Sequence, residues 1–136
     1  MWLPMKKRTR YISRVLMLLY IAAVCLLCFA DIRTDIGVNS TLLGIPADKI
    51  VHFTMFLPFP ALMYAAFHRQ ERKPARFIVF MLATLIAGAA AGAGIEIIQQ
   101  MTGYRSCDIM DFRADCLGLL AGAVLTTIYG AASKKW

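Results

Sequence analysis

The sequence predicts an all-α integral membrane protein, a bundle of four transmembrane helices with both termini in the cytoplasm. Three observations predict it. The 136-residue chain is 60% apolar, with a mean hydropathy of +0.63, well above an ordinary soluble domain. Four apolar runs each approach the ~20 residues that cross a hydrocarbon core as a helix. Eleven of the fifteen Lys and Arg residues fall in three groups at alternate ends of those runs, the distribution that the positive-inside rule produces.

The first span is expected from Tyr11 to Ala30. A basic start before an apolar run also describes a signal peptide, with Cys28-Phe29-Ala30 as a weak cleavage site. The run is long for that purpose and its removal would leave an odd number of spans, so it is read as a span. The second is expected over Asp48 to Phe67 with Pro58 and Pro60 inside it, the third over Phe77 to Met101, and the fourth over Asp111 to Ala132 with a polar first turn. A chain of this length makes one domain, 1–136.

Orientation follows from the basic groups. Lys6, Lys7, Arg8, Arg10 and Arg14, then Arg69, Arg72, Lys73 and Arg76, then Lys134 and Lys135 share one side, which is the cytoplasm. Of the eight acids only Glu71 stays with them. The net charge of +7 does not indicate nucleic-acid binding, because no basic face is interleaved with stacking aromatics. The expected partner is the bilayer, with an oligomer left open.

The acids on the other side are not scattered. Asp48 and His52 are one turn apart at the start of the second span. Glu96, with Gln99 and Gln100, follows Gly88 and Gly92 at helical spacing near the end of the third. Asp111, Asp115, Gly118 and Gly122 follow spacings of four, three and four along the fourth. Small residues let helices in lipid approach closely, and ionisable groups avoid lipid, so both point the stripes inward.

Each residue also has a structural reading. Asp48 is a natural cap or dipole partner at a helix start, and Asp108 or Asp111 could cap the fourth helix. His52 could bond a neighbouring backbone, Lys49 could snorkel to the interface, and Arg105 could balance the aspartates. Glu96 is harder to explain so, because burial without a cation is costly; His52, Lys49, Arg105 and Arg113 are the available partners. Capping needs one acid per helix start, which does not account for the whole set.

The cysteines add little. Cys25 and Cys28 have redox-motif spacing but lie mid-span, as small apolar fillers, and sequence alone does not decide whether Cys107 and Cys116 pair. One histidine is fewer than most zinc sites use, so zinc is weakly supported and no metal ligands are assigned. The cofactor is left open.

The combination Asp48-Lys49-x-x-His52-Phe53, then Glu96-x-x-Gln99, Arg105, Asp108 and Asp111 with Gly118 and Gly122 after them, resembles the VanZ-like family over about residues 45–125. The resemblance implies a small polytopic bacterial membrane protein, placed in the cytoplasmic membrane. The family's namesake lowers susceptibility to teicoplanin-type antibiotics. One departure is Asp115, where the family more often carries Asn.

Three functional readings are carried forward. The leading one is an enzyme or binder acting on a lipid-linked cell-envelope substrate from the outer leaflet. Arg105 and Lys49, with Asp48 and Gln99, would hold a phosphate or carboxylate group. Glu96 or His52 would act as general acid or base, with Asp108 and Asp111 orienting the histidine or holding a divalent cation. The second is a non-catalytic protein that masks a cell-wall precursor or antibiotic. Transport ranks last, because the cytoplasmic half offers few polar groups for an exit path.

Overall fold

The computed structural model describes residues 7–29, 41–68, 73–103 and 108–134. Its helices are α1 (Lys7–Phe29), α2 (Ala47–Phe56), α3 (Phe59–Phe67), α4 (Pro74–Met101) and α5 (Ile109–Ala132), with a hairpin of β1 (Thr41–Leu42) and β2 (Ile45–Pro46) before α2. Four segments are long and apolar enough to cross a membrane: α1, α2 with α3, α4, and α5. This is the four-span bundle that the sequence predicts.

Each helix turns one narrow stripe inward. In α1 it is Ser13, Met17, Val24 and Cys28; in α4 it is Phe77, Met81, Thr84, Gly88, Gly92, Glu96 and Gln99. Steps of three, four and seven keep each set on one side of a helix. The outward faces carry Leu18, Leu26, Ile86, Val79, Leu125 and Ile128, all more than half exposed within the protein itself, which suits a lipid solvent. The helix α5 buries most, alternating Ala114, Gly118, Gly122 and Thr126 with Asp115, Leu119 and Ala123.

Contacts at the two ends show the antiparallel arrangement. Arg14 Nε donates to the Ala66 carbonyl at 3.3 Å, and its guanidinium lies 5.5 Å from the Phe67 ring centre. Tyr64 packs edge-on against Phe77 and Tyr129. The basic first turns of α1 and α4 therefore share an end with the last turns of α3 and α5. At the opposite end the Gln99 side-chain amide donates to the Cys28 carbonyl at 2.9 Å, tying α4 to the last turn of α1.

The second span is not one helix. It breaks between Phe56 and Phe59, with Pro58 before α3 and Pro60 inside its first turn. Proline has no N–H and its ring collides with the carbonyl four residues earlier, so a helix running through Pro58 would bend or break. The glycines of α5 sit against this break. A Cβ at Gly118 would overlap the Phe53 carbonyl oxygen, and one at Gly122 would overlap the Leu57 carbonyl oxygen and touch Pro60 Cδ at 3.0 Å. Backbone thus meets backbone, and the sequence motif has its physical meaning: these positions admit only hydrogen.

Other boundaries shift by a few residues. The first and third spans begin earlier than expected, at Lys7 and Pro74, because basic residues and a proline are tolerated in a first turn at the membrane edge. Gln100, expected on the inward stripe, is exposed, since Gln99 already occupies the inward position at that turn. The hairpin turns through Leu43 and Gly44 with φ of 55° and 79°, the two positive angles that a type I′ turn needs.

Candidate functional site

The polar residues of three helices converge beside one another. His52 lies five residues inside the start of α2 and Glu96 five residues inside the end of α4, so both sit roughly 7 Å below the helix ends at 1.5 Å per residue. The N-termini of α2 and α5 both point into this region, carrying Asp48 and Asp111 in their first turns. The partial positive charge of the unpaired N–H groups there favours carboxylates.

Lys49 is the hub of the outer layer. Its ammonium nitrogen contacts Asp48 Oδ2 at 3.3 Å, Asp108 Oδ2 at 2.5 Å, and Asp111 Oδ1. Three N–H donors thus meet three carboxylates, which leaves none for an incoming anion while these bonds hold. Asp48 does not cap its helix: the cap position is Pro46, and Asp48 Oδ1 accepts the Lys49 backbone N–H at 3.0 Å.

The cap of α5 is Asp108, whose Oδ1 accepts the Met110 N–H at 2.8 Å. The Lys49 ammonium, and then this N–H, hold its carboxyl below the usual carboxylate range. A lowered value means stability that is present at neutral pH and lost as the group protonates. Asp108→Asn keeps a capping oxygen but removes the charge. Its melting deficit relative to wild type should therefore shrink as pH falls below about 4, the ordinary carboxylate value. A deficit constant from pH 7 to pH 3 would show that the cap, and not the ion pair, carries the effect.

Beneath this layer lies the histidine. His52 is 2% exposed and Asp115 is fully buried, with His52 Nδ1 2.9 Å from Asp115 Oδ1. Against a carboxylate acceptor Nδ1 carries the proton. That turns Nε2 towards Asp111 Oδ2, which is 3.6 Å away. Glu96 completes the inner layer: its Oε2 accepts the Asp108 backbone N–H at 3.2 Å, while Oε1 is buried with no hydrogen-bond partner among the described residues. Gly92 makes room for this arrangement, since a Cβ there would lie 3.1 Å from Asp115 Oδ2.

Residues 6–130 match the family model described as VanZ/LLP1. The chain belongs to the VanZ/LLP1 family. It is also 29% identical over 82 residues to a protein of Schizosaccharomyces pombe described as uncharacterized, a stretch covering 60% of this chain and 48% of the yeast protein. The VanZ/LLP1 chain thus spans about half the length of that relative, and similar sequences are not confined to bacteria. No solved structure matches it.

Within this VanZ/LLP1 fold, Asp48, Lys49, His52, Glu96, Asp108 and Asp111 come together as one connected set. Gln99 adjoins it, but its amide nitrogen is bonded to the Cys28 carbonyl. Arg105 and Cys107 lie outside the described residues, and with them the expected anion clamp and the pairing of Cys107 with Cys116. Asp108 and Asp111 are expected from sequence to orient the histidine or hold a divalent cation. Asp111 Oδ2 lies 3.6 Å from His52 Nε2, Asp115 holds Nδ1, and Asp108 is drawn to the surface by its capping role and by Lys49. Asp115 stands one turn beyond Asp111 on the stripe that the sequence displays, so its signal was there. What spacing does not show is that α2 reaches Asp115 at the level of His52. Tyr20, whose hydroxyl donates to the Met55 carbonyl, gave no signal, being one aromatic among the apolar residues of α1.

Proposed function

We propose that this protein receives the polar head of a lipid-linked cell-envelope molecule at the outer face of a bacterial cytoplasmic membrane, and acts on it with His52 and Glu96. The observation that carries the reading is the buried His52–Asp115 pair facing Asp111 and Glu96. Ionisable groups at this depth in an apolar bundle are expensive, and one carboxylate oxygen of Glu96 gains no hydrogen bond from the described residues in return. A structural network would be expected to satisfy it.

The side of the membrane follows from charge: Arg8, Arg10, Arg14, Lys73 and Arg76 gather at the opposite end, which the positive-inside rule assigns to the cytoplasm. A phosphate or pyrophosphate entering the site would displace aspartates from Lys49. The Asp115 carboxylate fixes the orientation of the His52 ring, and proton transfer between His52, Glu96 and the bound head group is the reaction type this supports.

The test is lipid and cell-wall precursor profiling in cells whose only copy is Glu96→Gln or His52→Ala. Both variants should lose the wild-type profile, and any change in teicoplanin susceptibility, while membrane abundance stays the same. Full activity of both at normal abundance would rule the reading out.

A second reading is that the site holds its ligand without changing it, once that ligand has displaced aspartates from Lys49. Purified protein would then bind a lipid-linked precursor and return it intact after prolonged incubation. Conversion of the precursor excludes this alternative.

A further inference from the structure

We propose that His52, Glu96 and Asp111 form a binding site for one divalent transition-metal ion. The proposal rests on the site described above for its location, and it gives the divalent cation that the sequence left open a defined set of ligands. One ligand atom from each of the three residues lies within 4.8 Å of the other two, and all three residues are buried. In a tetrahedral site with bonds of about 2.0–2.2 Å, neighbouring ligand atoms stand roughly 3.4 Å apart. The 3.6 Å between His52 Nε2 and Asp111 Oδ2 is already close to that spacing and long for a hydrogen bond.

Two features independent of the cluster's acidity, and then its net charge, point to a cation. The first is Glu96, 3% exposed, whose Oε1 has no hydrogen-bond partner among the described residues; a buried carboxylate oxygen of that kind is suited to ligate a metal ion. The second is the tautomer. Asp115 on Nδ1 places the proton there and the lone pair on Nε2, the arrangement by which a carboxylate orients a ligating imidazole. The third is charge. Among the described residues Asp48, Glu96, Asp108, Asp111 and Asp115 face Lys49 and His52, so negative charge exceeds positive there even with the imidazole protonated. Lys49 holds Asp111 Oδ1 and leaves Oδ2 on the side of His52.

One imidazole with two carboxylates suits zinc or manganese: nitrogen favours the former and oxygen both, while magnesium prefers oxygen and water alone. An ion bound by three protein groups keeps an open position. A phosphate oxygen of a lipid-linked substrate would fill it, and His52 would then serve as a ligand and not as a proton carrier.

The experiment uses the full chain in detergent, stripped with a chelator and titrated with zinc, manganese and magnesium chlorides. One equivalent of zinc or manganese should bind and raise the melting temperature, with magnesium binding far more weakly. Glu96→Gln and Asp111→Asn should abolish that equivalent, and Asp115→Asn should weaken it about 10–100-fold. A wild-type measurement keeps the test independent of variant folding: pulsed electron paramagnetic resonance of the manganese-loaded protein should show coupling to one imidazole nitrogen. The absence of stoichiometric binding to wild type, or of nitrogen coupling, overturns the ion. If wild type binds no metal yet Glu96→Gln loses the precursor profile, the ion falls and acid–base chemistry stands. Metal binding with an unaltered profile in Glu96→Gln supports the ion and overturns the functional reading.

Discussion

Gly122→Ala and Gly118→Ala should each deprive the bundle of its tightest helix contact and sharply reduce the yield of folded protein. A methyl group at either position runs into a backbone carbonyl of the second span, Leu57 or Phe53. Carbonyls cannot swing aside as side chains do, so α5 must move away along its length. Overpacking a core typically costs about 1–3 kcal/mol, and rigid backbone obstacles place these substitutions at or above the top of that range. Two further glycines calibrate the result. At Gly88 a Cβ would meet the flexible Leu119 side chain, so Gly88→Ala should be milder. At Gly94 nothing lies within 4 Å, and an alanine should be neutral or stabilising by about 0.5–1 kcal/mol through helix propensity. Thermal melts in one detergent rank the four. A Gly122→Ala protein that melts with wild type would show that α2, α3 and α5 do not approach as described.

The second large effect is expected at Lys49. Lys49→Met removes the cation shared by Asp48, Asp108 and Asp111, of which Asp111 is buried. Exposed ion pairs contribute up to about 1 kcal/mol, whereas stranding one member of a buried pair costs about 3–5 kcal/mol. Lys49 itself is partly solvated, with a side-chain exposure of 18%, so a loss of about 2–4 kcal/mol is expected between those limits. Combining it with Asp111→Asn should recover part of the loss, because the stranded charge is gone. Strict additivity of the two changes would refute a direct interaction.

Much of this architecture can be read without coordinates, because lipid imposes simple demands. Four runs of sufficient length, basic ends on alternate loops and small residues at steps of four define the helices, and their inward faces carry Glu96, Asp111 and Asp115. Depth is legible too, since His52 falls four residues inside the expected second span and Glu96 five inside the third. What resists reading is the partner of each group. Asp48 and Asp108 both look like caps, and only Asp108 is one, because Pro46 takes the cap position at α2. His52 has Asp108, Asp111 and Asp115 within helical reach, and the choice falls to Asp115 through the close approach of α2 to α5 at Gly118. The break at Pro58 was visible as a proline in an apolar run, but its effect depends on the glycines facing it. These are tertiary facts, set by which backbone touches which, and a single strand of text does not carry them.

That break has a mechanical consequence. A continuous span is one rod, and a push at either end is felt at the other. Here α2 leans on α5 and carries Lys49 and His52, while α3 is fastened to α1 through Arg14 and the Ala66 carbonyl. The two half-rods share a pivot at Leu57 and Pro58, seated on Gly122. Wear on the α1–α3 joint should therefore cost the bundle stability while sparing the register of Lys49 and His52, as separate bearings allow one arm of a linkage to loosen without moving the other.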